Sequence, residues 1–180
     1  MKPISMVPGF VFSAITLAFY CNGCCGSKAN NDKVTTMEPR ISVVTLGVSD
    51  LQRSYIFYKE GLGFPTKMTP EGGIVLFATS GTRLFLYPYD KLAEDTGMKV
   101  SPGEREKFHG FTFGHCTRKK EDVDKILARA AKAIGRIVKN AKEASWGGYS
   151  GYFADPDGYL WEAAYSDQWK FNPDGSVAVK

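Results

Sequence analysis

The chain has 180 residues, 43% hydrophobic and 23% charged, with a formal net charge of +4. That is the make-up of an ordinary globular protein of one domain, and it excludes disorder and fibrous repeats. The positive charge is spread without a basic block, so no nucleic-acid partner is expected.

Residues 1–36 read as an extension without a fold of its own. Lys2 precedes an uncharged run through Cys25 that is short for a spanning helix and broken early by Pro8 and Gly9. One reading is a signal or lipid-anchor segment over residues 1–25, with export or membrane anchoring. The other is a start at Met37, with a cytoplasmic location; it is the preferred one. Cys21, Cys24 and Cys25 lack the further ligands of a zinc knuckle. Cys116 alone falls in the expected folded part, residues 37–180, which therefore needs no disulfide.

Arg40–Val48 is β-branched and apolar, a buried strand. Ser49 and Asp50 are N-cap types, and a helix follows with Leu51, Tyr55, Phe57 and Tyr58 turned to a core, ending at Gly61 and Gly63. A short strand is expected around GLGFPTK. Gly73–Thr79 and Arg83–Tyr87 form a hairpin across Ser80-Gly81. Asp90–Gly97 reads as a short turn or helical loop, and residues 100–107 as a linker.

The order then repeats. Gly110–Thr117 is a strand, Lys119–Ile134 an amphipathic helix closed by Gly135, and Arg136–Lys139 a short strand. Tyr149–Ala154 and Tyr159–Tyr165 make a hairpin across Asp155-Pro156-Asp157-Gly158, which is read as turn geometry without catalysis. GLGFPTK matches AIGRIVK, and VLFATSGTRLFLYP matches GYFADPDGYLWEAAY, so the two halves read as an internal duplication. Each half is a βαβββ unit, module one over about residues 40–90 and module two over about 109–167. The fold class expected is α+β, with the two modules forming a cup-shaped mixed sheet whose hollow holds a small molecule.

With VTLGVSDLQRSYIFYKEGLGF and WGGYSGYFADPDGYLWEAAYS, the chain resembles the vicinal oxygen chelate superfamily, which includes glyoxalase I, bleomycin- and fosfomycin-resistance proteins and extradiol dioxygenases. FADPDGYLWE is the most specific piece. The resemblance implies a cup that usually holds a divalent metal and often a dimer. Its metal-dependent members place one ligand on the first and one on the last strand of each module. Here those positions fall on Val43, on Phe85 or Leu86, on Phe111 or Thr112, and on Glu162. Only Glu162 is a carboxylate, so the usual four-ligand site is expected to be missing, a divalent metal finds little support, and no other cofactor is implied.

Residue parity adds a candidate site. The small residues Thr45, Gly47, Thr112 and Gly114 are expected to line the cup, opposite the bulky faces. Trp146, Tyr149 and Tyr152 are candidates for an aromatic wall. An apolar cup raises a carboxylate's pKa, which makes Glu162 a candidate base as well as a ligand contact. The same parity turns His115 toward the helix, as a structural residue; a reversed register would point it inward as an acid or base. Three functional readings stay open: a small-molecule binder without the usual metal, a glyoxalase-like lyase or isomerase (or a dioxygenase-related enzyme) using Glu162, and a non-catalytic homodimeric interaction module.

Overall fold

The computed structural model describes residue 37, residues 39–99 and residues 108–178. The extension over residues 1–36 and the linker over 100–107 lie outside the described residues. The chain order is β1 (Val43–Val48), α1 (Leu51–Ile56), β2 (Val75–Phe77), β3 (Arg83–Pro88), α2 (Tyr89–Thr96), β4 (Phe113–Cys116), α3 (Lys120–Lys132), β5 (Arg136–Glu143), β6 (Tyr149–Ala154) and β7 (Leu160–Tyr165). Among the described residues no helix is long and apolar enough to cross a membrane.

The duplication is visible in the strand pairing. In the first module β1 runs parallel to β3, and β2 pairs antiparallel on its other side. In the second, β4 runs parallel to β7, followed by β6 and β5 in antiparallel order. The modules differ in one strand. The segment after Gly63 was expected to match β5, but it forms no regular strand. Pro65 has no N–H to give a ladder. Its carbonyl accepts from Ala78 N at 2.9 Å, and the Thr66 hydroxyl, rather than a backbone amide, donates to Leu76 O at 2.6 Å.

Asp50 caps α1 by accepting from Arg53 N at 2.9 Å. The helix then widens into a π-turn over Phe57–Gly61, closed by Leu62 N donating to Phe57 O at 2.8 Å. The extra residue per turn lets the neighbours Phe57 and Tyr58 both become fully buried. They join Phe77, Phe153 and Trp161 in one hydrophobic core with Leu46, Val48, Leu86, Val123 and Leu127. This core lies on the helix-facing sides of both sheets, so their opposite faces are left for function.

The end of α3 corrects one expectation. Ile134, not Gly135, takes the left-handed turn, at φ 66°. Gly135 is needed for closeness instead: a Cβ there would stand 2.8 Å from Ala130 O. Similarly, Gly151 lets β6 approach α3, since a Cβ would meet Leu127 Cδ1 at 2.6 Å.

The Asp155–Gly158 turn, expected to serve only as a turn, also joins the modules. Asp155 Oδ1 accepts from the N–H groups of Asp157 and Tyr159, both at 2.9 Å, which is the turn role. Its Oδ2 accepts from Tyr58 Oη at 2.6 Å, and that hydroxyl accepts from Trp161 Nε1 at 3.2 Å. Asp157 reaches the β1–α1 corner. It accepts from Ser49 N at 2.7 Å, Ser49 Oγ at 2.6 Å, Arg53 Nη2 at 3.0 Å and Ser54 Oγ at 2.5 Å. Tyr159 Oη adds a bond to Gly47 O at 3.0 Å.

Candidate functional site

The open face of the second sheet is built by alternation along three paired strands. Trp161 and Ala163 of β7 point into the core, so Leu160, Glu162 and Ala164 point the other way. Register places Gly114 of β4 on one side of Glu162 and Tyr152 of β6 on the other. The Tyr152 phenol lies beside the Glu162 carboxylate across the β6–β7 pair. Burial, then the neighbouring Glu162, pushes that phenol up to about 12. At neutral pH Tyr152 therefore keeps its proton and acts as a donor. Lys139 places its ammonium 5.4 Å from the centre of the Tyr152 ring.

Gly114 leaves the floor beside Glu162 open. A Cβ built there would meet nothing within 4 Å. Two residues on, Cys116 shares this face, and its thiol is pushed up by burial and then by the charge of Glu162. It is held as a thiol, not a nucleophilic thiolate. The face thus offers one half-buried carboxylate, one phenol donor and one thiol around an open floor. It can accept a hydrogen bond or a proton from a ligand and return one.

The other expected site residues are scattered. Thr112 is exposed on the approach to β4. Thr45 is half-buried on β1, in the first sheet, opposite Phe85. Gly47 faces α2: a Cβ there would stand 2.8 Å from Tyr89 Cδ2 and 3.2 Å from Leu92 Cδ2. That part of the first module's open face is filled by its own helix. Tyr149 turns to the helix side, where its hydroxyl lies 3.1 Å from Asp124 Oδ1. Trp146 is exposed and stacks on Trp169, with ring centres 5.7 Å apart at 18°. His115 pairs with Ala163, on the helix side, and partial burial lowers its pKa. Cys116 and Lys139 are the additions that the site-residue reading passed over; Cys116 carried a signal, because it shares the parity of Gly114.

The positions where a metal would be held do not fit one. Val43 and Phe85 carry no donor, and Leu86 is buried in the core. On β4, the residue beside Glu162 is Gly114. Among the described residues no group of three or more His, Cys, Asp or Glu is placed to hold an ion.

Comparison with known proteins gives a consistent picture. The profile of the Glyoxalase/Bleomycin resistance protein/Dioxygenase superfamily matches residues 40–163. A crystal structure of a glyoxalase-related enzyme from Fulvimarina pelagi is 31% identical, with 79% of this chain and 99% of that chain covered and a TM-score of 0.71. A glyoxalase/bleomycin resistance protein/dioxygenase from Nocardioides is 24% identical over 81% of this chain and 93% of that chain, with a TM-score of 0.57. A lactoylglutathione lyase from Agrobacterium tumefaciens is 21% identical over 76% of this chain and all of its own, with a TM-score of 0.52. The last two likenesses speak for the fold alone. A comparison with curated proteins gives no match.

Proposed function

The chain belongs to the Glyoxalase/Bleomycin resistance protein/Dioxygenase superfamily, and from that premise we propose that it binds a small molecule on the open face of β4, β7 and β6, with Glu162 as the polar anchor and without the usual four-ligand metal. The observation that carries this reading is the Glu162 carboxylate beside the empty floor over Gly114, flanked by a phenol donor. A floor with no side chain next to a polar pair leaves room for a ligand atom where a packed sheet would place another residue.

An enzymatic reading is favoured by the same pair. Glu162 would take a proton from the ligand, and Tyr152, still protonated, would hydrogen-bond the oxygen that becomes more negative. That is the chemistry of a lyase or isomerase.

A thermal-shift screen against hydrophobic drugs and thiol-conjugated aldehydes identifies a ligand, and metal analysis with assays before and after chelation tests the metal. With a ligand in hand, Glu162→Gln is expected to weaken binding about tenfold or more. Its melting temperature should stay that of the wild type, because the carboxylate is half-exposed. Unchanged affinity and turnover in that variant would remove Glu162 from the site.

We extend the proposal to a homodimer. β1 and β4 are edge strands, and Ile41 just before β1 and Val43 at its start are exposed, at 69% and 41%. Light scattering should give twice the chain mass for the wild type and the single-chain mass for Val43→Lys. A wild-type monomer at micromolar concentration would rule the dimer out.

A further inference from the structure

A cavity lies where the two modules meet, and it is lined by none of Gly114, Tyr152 or Glu162. This cleft of about 530 Å³ is lined by Arg53, Asp157, His109, Phe111, Tyr159 and Arg136, with apolar neighbours. Its volume is in the range that holds a small organic ligand.

Two features of its wall point to a charge it would accept. Arg53 Nη2 is engaged by Ser49 Oγ at 2.8 Å and by Asp157 Oδ1 at 3.0 Å. Its Nε is buried and has no hydrogen-bond partner, which among the described residues is true of no other buried side-chain nitrogen or oxygen. That atom is sealed by protein, so Arg53 meets the cleft through the remainder of its side chain, which is 37% exposed. Arg136 brings a second guanidinium to the same cleft. The one carboxylate there, Asp157, already accepts from Ser49, Ser54 and Arg53, so its charge is committed to joining the modules. Two guanidinium charges against one carboxylate leave the cleft one positive charge in excess, which suits a monoanion better than a dianion.

The rest of the wall is flat. His109 stacks on Tyr159 with ring centres 6.0 Å apart at 29°, and Phe111 lies 6.3 Å from the same tyrosine ring. Phe111 is 45% exposed and presents apolar area that an aromatic body would cover. We propose that this cleft binds an aromatic monocarboxylate. The carboxylate would lie between Arg53 and Arg136, and the ring against the aromatic wall. Planar guanidinium groups recognise carboxylates through paired N–H donors, which adds direction to the charge attraction.

The test uses 1-naphthoate as the probe and 1-naphthalenemethanol as its neutral counterpart, by titration calorimetry on the full chain. Naphthoate should bind the wild type at least about tenfold more tightly than the alcohol. Arg136→Gln should lose about tenfold or more in naphthoate affinity and Arg136→Lys should keep part of it. Arg136 sits exposed at the start of β5, so neither change should disturb the fold. In nitrogen-15 spectra the Arg53 Nε–H resonance, identified with Arg53→Lys, should move on adding naphthoate and stay in place on adding the alcohol. Glu162→Gln should bind naphthoate as the wild type does, which separates this cleft from the face of β7. Absent naphthoate binding, equal binding of the two probes, or equal binding by Arg136→Gln would overturn the proposal. So would a loss in Glu162→Gln as large as that in Arg136→Gln.

Discussion

Asp157→Ala is expected to lower the stability of the folded domain by about 4 kcal/mol, an effect usually produced only by loss of a buried partner. The Asp157 side chain is 5% exposed and accepts four hydrogen bonds from the β1–α1 corner. Its removal orphans the hydroxyl of Ser54, which is fully buried, and leaves Arg53 facing Ser49 alone. The Arg53 side chain is 37% exposed, so water recovers part of what the guanidinium loses, and the cost falls near the middle of the range for buried pairs rather than above it. A urea titration measures the loss. A double-mutant cycle with Ser54→Ala locates it, with a coupling of about 1 kcal/mol or more expected. Purely additive losses would show that the turn does not hold the corner through this contact. Amide exchange offers a second readout: protection at Ser54 should fall more than at Phe153, because the contact joins modules and does not build the second sheet.

Tyr58→Phe removes one oxygen atom and is expected to cost about 3 kcal/mol at pH 8. The phenol is fully buried, donates to Asp155 and accepts from Trp161. Phenylalanine keeps the ring packing against Phe57, Phe64, Phe77 and Trp161. The loss therefore reports hydrogen bonding, not a cavity. For a domain whose total stability is typically 5–15 kcal/mol, that is a large share.

Its pH dependence makes the prediction specific. Burial raises Asp155 from the ordinary 3.8 to about 6, although the Tyr58 hydroxyl and the turn amides pull it down. The folded chain thus keeps a proton that the unfolded chain has released. This residue's contribution to stability is complete below about pH 4 and is lost as pH rises through 6, by about 3 kcal/mol in all. Without the Tyr58 hydroxyl the carboxyl should rise further, so Tyr58→Phe should lose more at pH 8 than at pH 5. Asp155→Asn, which cannot ionise, should flatten this part of the profile. Equal losses at both pH values would show that the phenol does not hold a carboxylate. Tyr58 itself stays protonated throughout, since burial and then Asp155 push its pKa well up.

Much of the architecture was legible in the residues. Alternating bulky and small side chains along Phe111–Cys116, and Glu162 set between Trp161 and Ala163, told which face meets the helix, because a strand presents successive residues to opposite sides. Gly114, Tyr152 and Glu162 come together for that reason. The adjacent pair Phe57 and Tyr58 was marked for the core, although the π-turn that lets both enter it was not visible in a helical period.

Other features depended on what lies far along the chain. Gly47 looked like cup lining, but its face is taken by Tyr89 and Leu92. Tyr149 has the aromatic character expected of a wall, yet β6 turns it toward Asp124. The Asp155–Gly158 sequence announced a turn, and nothing local said that its two carboxylates would bond to Tyr58, Ser49 and Ser54, about a hundred positions earlier. The amino-acid pattern by itself determined the duplicated modules and the sides of their strands, since these follow from residue type and short-range periodicity. Which distant group fills a face, completes a hydrogen bond or leaves Arg53 Nε unpaired was decided by the packing of one module on the other. Such contacts join residues that no local period relates.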